Sequence, residues 1–391
     1  MKQHYSLKKA AFRIPLILAL LLVASGCRIS HIFHAAAGQA RLLAGAVPVE
    51  EGLHDGRLSR EEKERLRLVS QIKAFGEEAL GLKKTRNFET VYLKSPGPPL
   101  YVVSACPKDR LQPVTWWFPI VGEMPYLGFF NLRGARNEAR NLTEKGLDVC
   151  IGTAEAYSTL GWFRDPITLN LLKGSTLDLV ETVLHEMAHS TLYIKGQGAF
   201  NEGLAVLVGK VGALSFLEAY YGKEHHLVLE ARNSIHDERL FSTFLDDLLA
   251  RLEDLYQSPL SLEEKMERRG HIFKKAREAF EQLKPRFKTD RFGGFGRLSL
   301  NNASLVTIGL YHRYFPLFEW AFKKNGRSIK KMIDYFRALS ARPGDLIQNI
   351  MLERSLLRSS SPRETPGRGV GRRKKPCPPP GERSPVGGTP G

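Results

Sequence analysis

The feature that most constrains this 391-residue chain is His185-Glu186-Met187-Ala188-His189, an H-E-x-x-H pattern, with Phe200-Asn201-Glu202-Gly203-Leu204-Ala205 following shortly after. On a helix, positions i and i+4 lie about 40° apart in projection, so both imidazoles can meet one ion. Glu186 lies about 100° round from His185. That is beside such an ion, where a base must stand to take a proton from metal-activated water. Glu202 is the nearest downstream carboxylate and the candidate third ligand. Two histidines, one glutamate and an open fourth position make a catalytic rather than a closed structural zinc site. The plainer alternatives are two solvated histidines beside an ordinary glutamate, and a Glu202 favoured only by the helix dipole behind an Asn201 N-cap.

The flanking residues put the motif on a core-packed helix. Ser175 reads as an N-cap with Asp178 at N3, and Leu179, Val180, Val183, Leu184, Met187, Ala188 and Leu192 form an apolar stripe. Gly196 is expected to end this helix. The short connection through Gly196 and Gly198 folds the next helix, Glu202 to about Leu217, back across the first and aims Glu202 at the histidines.

Residues 1–26 read as an export signal: Lys2, Lys8, Lys9 and Arg13 precede Ile14–Val23, an apolar run too short to span a bilayer. Ala24-Ser25-Gly26-Cys27 looks like a bacterial lipobox that would make Cys27 the lipidated N-terminus, with plain secretion as the alternative. One lipid anchor attaches the chain to a membrane surface, and no later segment reads as transmembrane. Arg28 carries no acidic retention signal, which points to a periplasm-facing protein of the outer membrane.

The net charge of +17 is unevenly spread: residues 1–26 hold four basic and no acidic residues, residues 355–391 hold eight basic and two acidic, and +7 remains on the body. Such a mild excess is a solvated surface, so nucleic acid is not an expected partner. The basic tail suits anionic lipid or envelope polymer. Cys106 and Cys150 are a possible disulfide in an oxidising envelope, a pairing the sequence leaves open.

Along the chain, Ile29–Val47 reads as a small-residue helix, and Ser59-Arg60-Glu61-Glu62 opens another as a capping box. Tyr101–Val103, Thr115–Phe118 and Asp148–Gly152 read as strands and Gly134–Lys145 as a helix. Phe241–Tyr256 and Leu262–Leu283 follow as antiparallel amphipathic helices, then a glycine-rich loop at Arg291–Arg297 and a helical stretch at Asn301–Phe322. From about residue 355 the Ser/Pro/Gly/Arg composition cannot bury a core, so 355–391 is a disordered tail.

Several of these segments together resemble the bacterial predicted zinc aminopeptidase family of envelope proteins. They are Trp116-Trp117-Phe118-Pro119-Ile120-Val121-Gly122, Pro125-Tyr126, Ala156-Tyr157-Ser158-Thr159-Leu160-Gly161-Trp162-Phe163, Asp165-Pro166, the H-E-x-x-H helix, Phe200-Asn201-Glu202, and Asn301-Asn302-Ala303 with Tyr311-His312. The resemblance covers about Cys27 to Arg354. It implies an α+β, predominantly helical, gluzincin-like metallopeptidase domain over residues 27–354. A small mixed N-terminal lobe (27–174) and a helical lobe (175–354) would flank a zinc cleft. It also implies zinc on His185, His189 and Glu202, with Glu186 as base and acid, and a peptide as substrate. The twelve residues between His189 and Glu202 are fewer than in thermolysin-like enzymes, and Glu218 is the alternative third ligand.

A developing oxyanion needs a donor besides the metal, and Tyr311, His312 and Tyr157 are the candidates. The segment around Tyr157 can instead serve as an edge strand for an extended substrate. Glu155 is the candidate for capturing a free α-amine, the step that would make the protein an exopeptidase. The remaining pairs and singles, His225-His226, His236 and His271, read as solvated. The competing class is a non-enzymatic envelope lipoprotein that binds a partner on its helical body. Glu186 argues against it, because a structural metal site needs no base.

Overall fold

The computed structural model describes residues 43–93, 100–118, 122–154 and 164–360. The expected signal and lipid site (1–27), Glu155, Tyr157 and the edge strand around it, and residues 361–391 of the expected tail lie outside the described residues; residues 355–360, expected to begin that disordered tail, instead end a helix.

The described chain begins with β1 (Ala46–Pro48), α1 (Val49–His54), α2 (Arg60–Glu78) and β2 (Thr90–Tyr92). Residues 46–48 are thus extended, pairing antiparallel with β2, so the expected Ile29–Val47 helix does not run to its C-terminal end. The capping box at Ser59 and Glu62 is present and starts α2 as read. Next come β3 (Leu100–Cys106), β4 (Trp116–Phe118), β5 (Gly122–Met124), β6 (Leu127–Phe129), α3 (Leu132–Glu144), β7 (Asp148–Ala154) and β8 (Ile167–Thr168). Three small sheets result, with orders β1-β2-β8, β6-β3-β7 and β4-β5. All pairs are antiparallel except β2 with β8.

The rest is helical: α4 (Thr176–Thr191), α5 (Gly198–Tyr221), α6 (His226–Gln257), α7 (Leu262–Leu283), α8 (Asn302–His312), α9 (Phe315–Lys324), α10 (Ile329–Leu339) and α11 (Leu346–Ser360). The fold is therefore α+β and predominantly helical, as expected. The helix read as Phe241–Tyr256 is longer, because the apolar stripe continues upstream through Val228, Ala231 and Ile235, all buried. The stretch read as Asn301–Phe322 is two helices. Pro316 has no N–H to give the His312 carbonyl and its ring crowds that turn, so the chain breaks at residues 313–314 and restarts as α9.

Residues up to Ile350 form one compact unit, and from Met351 onward a second is represented among the described residues by the last turns of α11. In the first unit the largest core joins Leu66, Val69 and Ile72 of α2 to Leu184 and Met187 of α4, Leu204 and Phe216 of α5 and Phe318 of α9. Each such side chain is worth about 1.5–3 kcal/mol when fully buried. This core draws on residues from both sides of position 174. A second core lies between α6 and α7 under Phe292 and Phe295, and a third between the β3 sheet and α3.

Helix α5 is long and apolar enough to cross a membrane, yet 61% of its most apolar window is buried in the fold. A helix apolar all round is what a layer between α4 and the C-terminal helices requires. Its glycines permit the close approach. A Cβ on Gly203 would stand 2.3 Å from Phe318 Cε2, and one on Gly209 would stand 2.8 Å from the Glu181 carbonyl oxygen.

The possible Cys106–Cys150 disulfide does not form. In the β3–β7 register Cys106 faces Asp148 and Cys150 faces Ser104, so the two cysteines are diagonal rather than opposite and both are free. Diagonal positions on an antiparallel pair lie about 7–8 Å apart, beyond the reach of a disulfide. Burial, helped by Asp148, pushes the Cys106 thiol up to about 12, and its Sγ donates to the Arg110 carbonyl at 3.2 Å.

Candidate metal centre

Helix α4 opens as the sequence reads, with Ser175 Oγ accepting from the Asp178 N–H and the Asp178 carboxylate returning to the Ser175 N–H. It ends at Thr191, before the expected Gly196 stop; Gly196, at φ 76°, instead turns the connecting loop. Asn201 departs further from expectation. Helix α5 begins at Gly198, so Asn201 lies inside its first turn and does not cap it. Its side chain, almost fully buried, accepts from the Ile194 N–H at 2.9 Å and donates to the Ile194 carbonyl at 2.8 Å. That two-point clamp folds the loop onto the start of α5. With the Gly209 contact, it brings Glu202 across from the two histidines.

The three side chains converge. His185 Nε2 and His189 Nε2 are 3.1 Å apart, and Glu202 Oε2 lies 3.3 Å from the first and 3.4 Å from the second. Among the described residues this is the one group of three or more His, Cys, Asp or Glu side chains gathered closely enough to hold a metal. Three donors bound tetrahedrally at about 2.0–2.2 Å stand about 3.3–3.6 Å from one another. Two sides of the observed triangle, 3.3 and 3.4 Å, have those dimensions and the third, 3.1 Å between the imidazoles, is slightly shorter; a metal held by these three atoms would have a fourth position for a further ligand.

The electrostatics agree with a carboxylate set among imidazoles. Burial alone would raise the Glu202 carboxyl, but His189 and His185 outweigh it and hold it well below the usual range. Burial likewise opposes a charge on His189, and Glu202 more than offsets that, raising it. Glu186 Oε2 and His189 Nδ1 are buried without a hydrogen-bond partner. A buried carboxylate oxygen left unpaired is uncommon in a folded protein and is expected where a ligand or water completes the site.

Of the two donor candidates among the described residues, Tyr311 lies at the triad. Its ring lies nearly parallel to that of His185, centroids 6.3 Å apart. The Glu202 charge, then burial, then Tyr126 and Glu186, hold its phenol well above the ordinary range, so it stays a proton donor. Tyr193, which the sequence reading passed over, packs edge-on to His189 and donates its hydroxyl to Met124 Sδ at 3.6 Å, linking β5 to the site. Its only sequence signal was its place four residues beyond His189. Asn87, also passed over, donates to Ser190 Oγ at 3.2 Å, and Ser190 Oγ donates at 3.2 Å to the Glu186 carbonyl.

A family profile described as "Putative aminopeptidase" matches residues 30–349. The chain belongs to that family. Membership points to a peptidase, and the matched span takes in α4, α5 and α8 and stops short of the basic tail. No curated protein and no solved structure matches the chain.

Two residues offered for the site of this aminopeptidase-family protein are engaged elsewhere. His312 Nδ1 meets Glu238 Oε1 at 2.6 Å, and its ring is packed edge-on by Phe241 and Phe292. It lies about 100° round α8 from Tyr311, so the two cannot face the same place. Glu218 pairs with Arg232 at 2.8 Å, about 24 Å along α5 from Glu202, and does not replace it.

Proposed function

We propose that this protein is a zinc-dependent peptidase, acting as an aminopeptidase, with His185, His189 and Glu202 as the metal ligands. The observation that carries the reading is the triangle of Nε2, Nε2 and Oε2 atoms with an unpaired Glu186 oxygen buried beside it. Zinc held there would act as a Lewis acid on the scissile carbonyl and lower the pKa of the attacking water. Glu186 takes the proton from that water and passes it to the leaving amine. Tyr311, kept protonated beside two carboxylates, donates to the oxygen on which negative charge develops. Glu202 and the imidazoles would hold the cation, while Tyr193, bonded to Met124 of β5, packs edge-on against His189.

The decisive experiment combines metal analysis with hydrolysis. Glu186→Gln is expected to keep one zinc per chain while kcat falls by about 10²–10⁴-fold. Zinc lost together with activity, or activity retained, would remove Glu186 from its role. Exopeptidase action predicts cleavage of peptides with a free N-terminus and none of their N-acetylated forms; equal rates on both would make the protein an endopeptidase. Export and lipid attachment at Cys27 to the bacterial outer membrane, facing the periplasm, complete the proposal. They are tested by fatty-acid labelling that Cys27→Ser should abolish.

A further inference from the structure

One helical turn before His185, α4 enters a second polar cluster that the proposed reaction does not use. Asp178, Glu181, His185 and His189 follow at spacings of three, four and four residues and so form one stripe on the helix. Glu181 Oε2 lies 3.5 Å from Lys210 Nζ and 3.2 Å from Arg291 Nη1, and Arg291 Nη2 lies 2.8 Å from Asp178 Oδ1. Lys210 Nζ donates to Ser234 Oγ at 2.8 Å, and Ser234 Oγ donates to Glu181 Oε1 at 3.1 Å. Glu238, fully buried, faces Lys210 Nζ with Oε2 at 3.4 Å and His312 Nδ1 with Oε1 at 2.6 Å.

These contacts close a circuit. His185 stacks with Tyr311; Tyr311 is followed by His312; His312 is held by Glu238; Glu238 meets Lys210; Lys210 meets Glu181; and Glu181 is one turn from His185. A buried ion network is a weak way to hold helices together, since apolar groups of the same volume do so at least as well. What it provides instead is direction, because a hydrogen bond fixes an angle that apolar contact leaves free. The stacked rings of Phe241 and Phe292 both meet the His312 ring edge-on from one side, at 5.4 Å, and Glu238 holds its Nδ1.

We infer that Glu238 is a positioning residue for Tyr311: through His312 it sets the rotation of the last turn of α8, and so the place of the Tyr311 phenol over His185, Glu186 and Glu202. This rests on the reading of Tyr311 as the donor to the developing oxyanion.

The test is a double-mutant cycle on the zinc-loaded full chain, measuring kcat and KM on aminoacyl-7-amido-4-methylcoumarins together with the visible spectrum of the cobalt-substituted protein. Glu238→Gln is expected to lower kcat by about 10- to 100-fold, the penalty of a slightly misplaced group. KM should stay within about two-fold and the cobalt spectrum should be unchanged. In a Tyr311→Phe background the same substitution should change kcat by less than about three-fold, because the group it positions is already gone. Should Glu238→Gln not fold, His312→Asn makes the same comparison from the other side of the contact. An equal loss in both backgrounds, or an altered cobalt spectrum, overturns the positioning role. A wild-type chain that neither takes up zinc nor cleaves any of these substrates overturns the peptidase reading itself, and this inference with it.

Discussion

Two polar clusters share one face of α4 about a turn apart, and they are completed in different ways. Around Glu181 the chain supplies both signs of charge: Lys210 and Arg291 are set among Asp178, Glu181 and Glu238. Around His185 the partners of Glu202 are two imidazoles, and Glu186 Oε2 and His189 Nδ1 have no hydrogen bond. Glu238 Oε2 also lacks a hydrogen bond, but it faces an ammonium at 3.4 Å. The comparison teaches that burial of charge on this helix is answered internally in one place and, under the proposal, by an added cation in the other. A buried group with its counter-charge built in belongs to the folded scaffold; one without it belongs to a ligand.

The comparison is broken most severely by removing a proposed ligand from the cluster around His185. Glu202→Ala should abolish zinc uptake and with it hydrolysis, a loss of more than about 10³-fold, read by metal analysis and peptide cleavage. Retained zinc at full stoichiometry would show that Glu202 is not a ligand. The cluster around Glu181 should respond the other way. Lys210→Met leaves Glu181 and Glu238 buried without their ammonium and should destabilise the fold by about 3–5 kcal/mol in denaturant melts. The protein that remains folded should still hold zinc. If metal content fell while stability held, the two clusters would not be separable as described.

A smaller change sharpens the link between them. Gly209→Ala places a methyl 2.8 Å from the Glu181 carbonyl oxygen and 3.5 Å from His185 Cβ, wedging α4 from α5. Overpacking of this kind costs about 1–3 kcal/mol and should weaken zinc binding as well, measured by competition with a chelating dye. Unchanged affinity would mean that the ligand triangle does not depend on this helix contact.

The smallest effect is expected from acid. Burial would raise the Glu238 carboxyl, but His312 and Lys210 outweigh it and hold it below the ordinary range. A lowered folded-state pKa gives stability that is fully present above the unfolded value, about 4.3, and is lost as pH falls through the folded one. Melting temperature should therefore drop more steeply below about pH 4.3 in wild type than in Glu238→Gln. Parallel curves would refute the contribution.

Much of the site is legible in the residues because it depends on local geometry. The i, i+4 spacing of His185 and His189 on a capped amphipathic helix puts the rings together whatever else the fold does. Glu202 could be proposed because the connection to the next helix is short. Its clamp could not: Asn201 next to a helix start reads as a cap, and only the folded loop shows its side chain pairing with Ile194. Tyr311 and His312 were equal candidates as neighbours in sequence, and the direction in which α8 packs separated them. Tyr193 and Asn87 carry no motif, and their roles come from contacts with β5 and α4.

By itself the sequence determined the helix that carries His185, Glu186 and His189, the choice of Glu202 as the nearby carboxylate and the largely helical class, because periodicity and spacing are properties of one segment at a time. That Tyr311 reaches the triad, why two cysteines on paired strands stay free, and how Lys210 lies buried against Glu181, one turn of α4 from His185, were decided by tertiary structure alone. Those outcomes depend on the register and rotation of elements distant in the chain. Hydrophobic patterning says which face of an element is covered, but not which partner covers it.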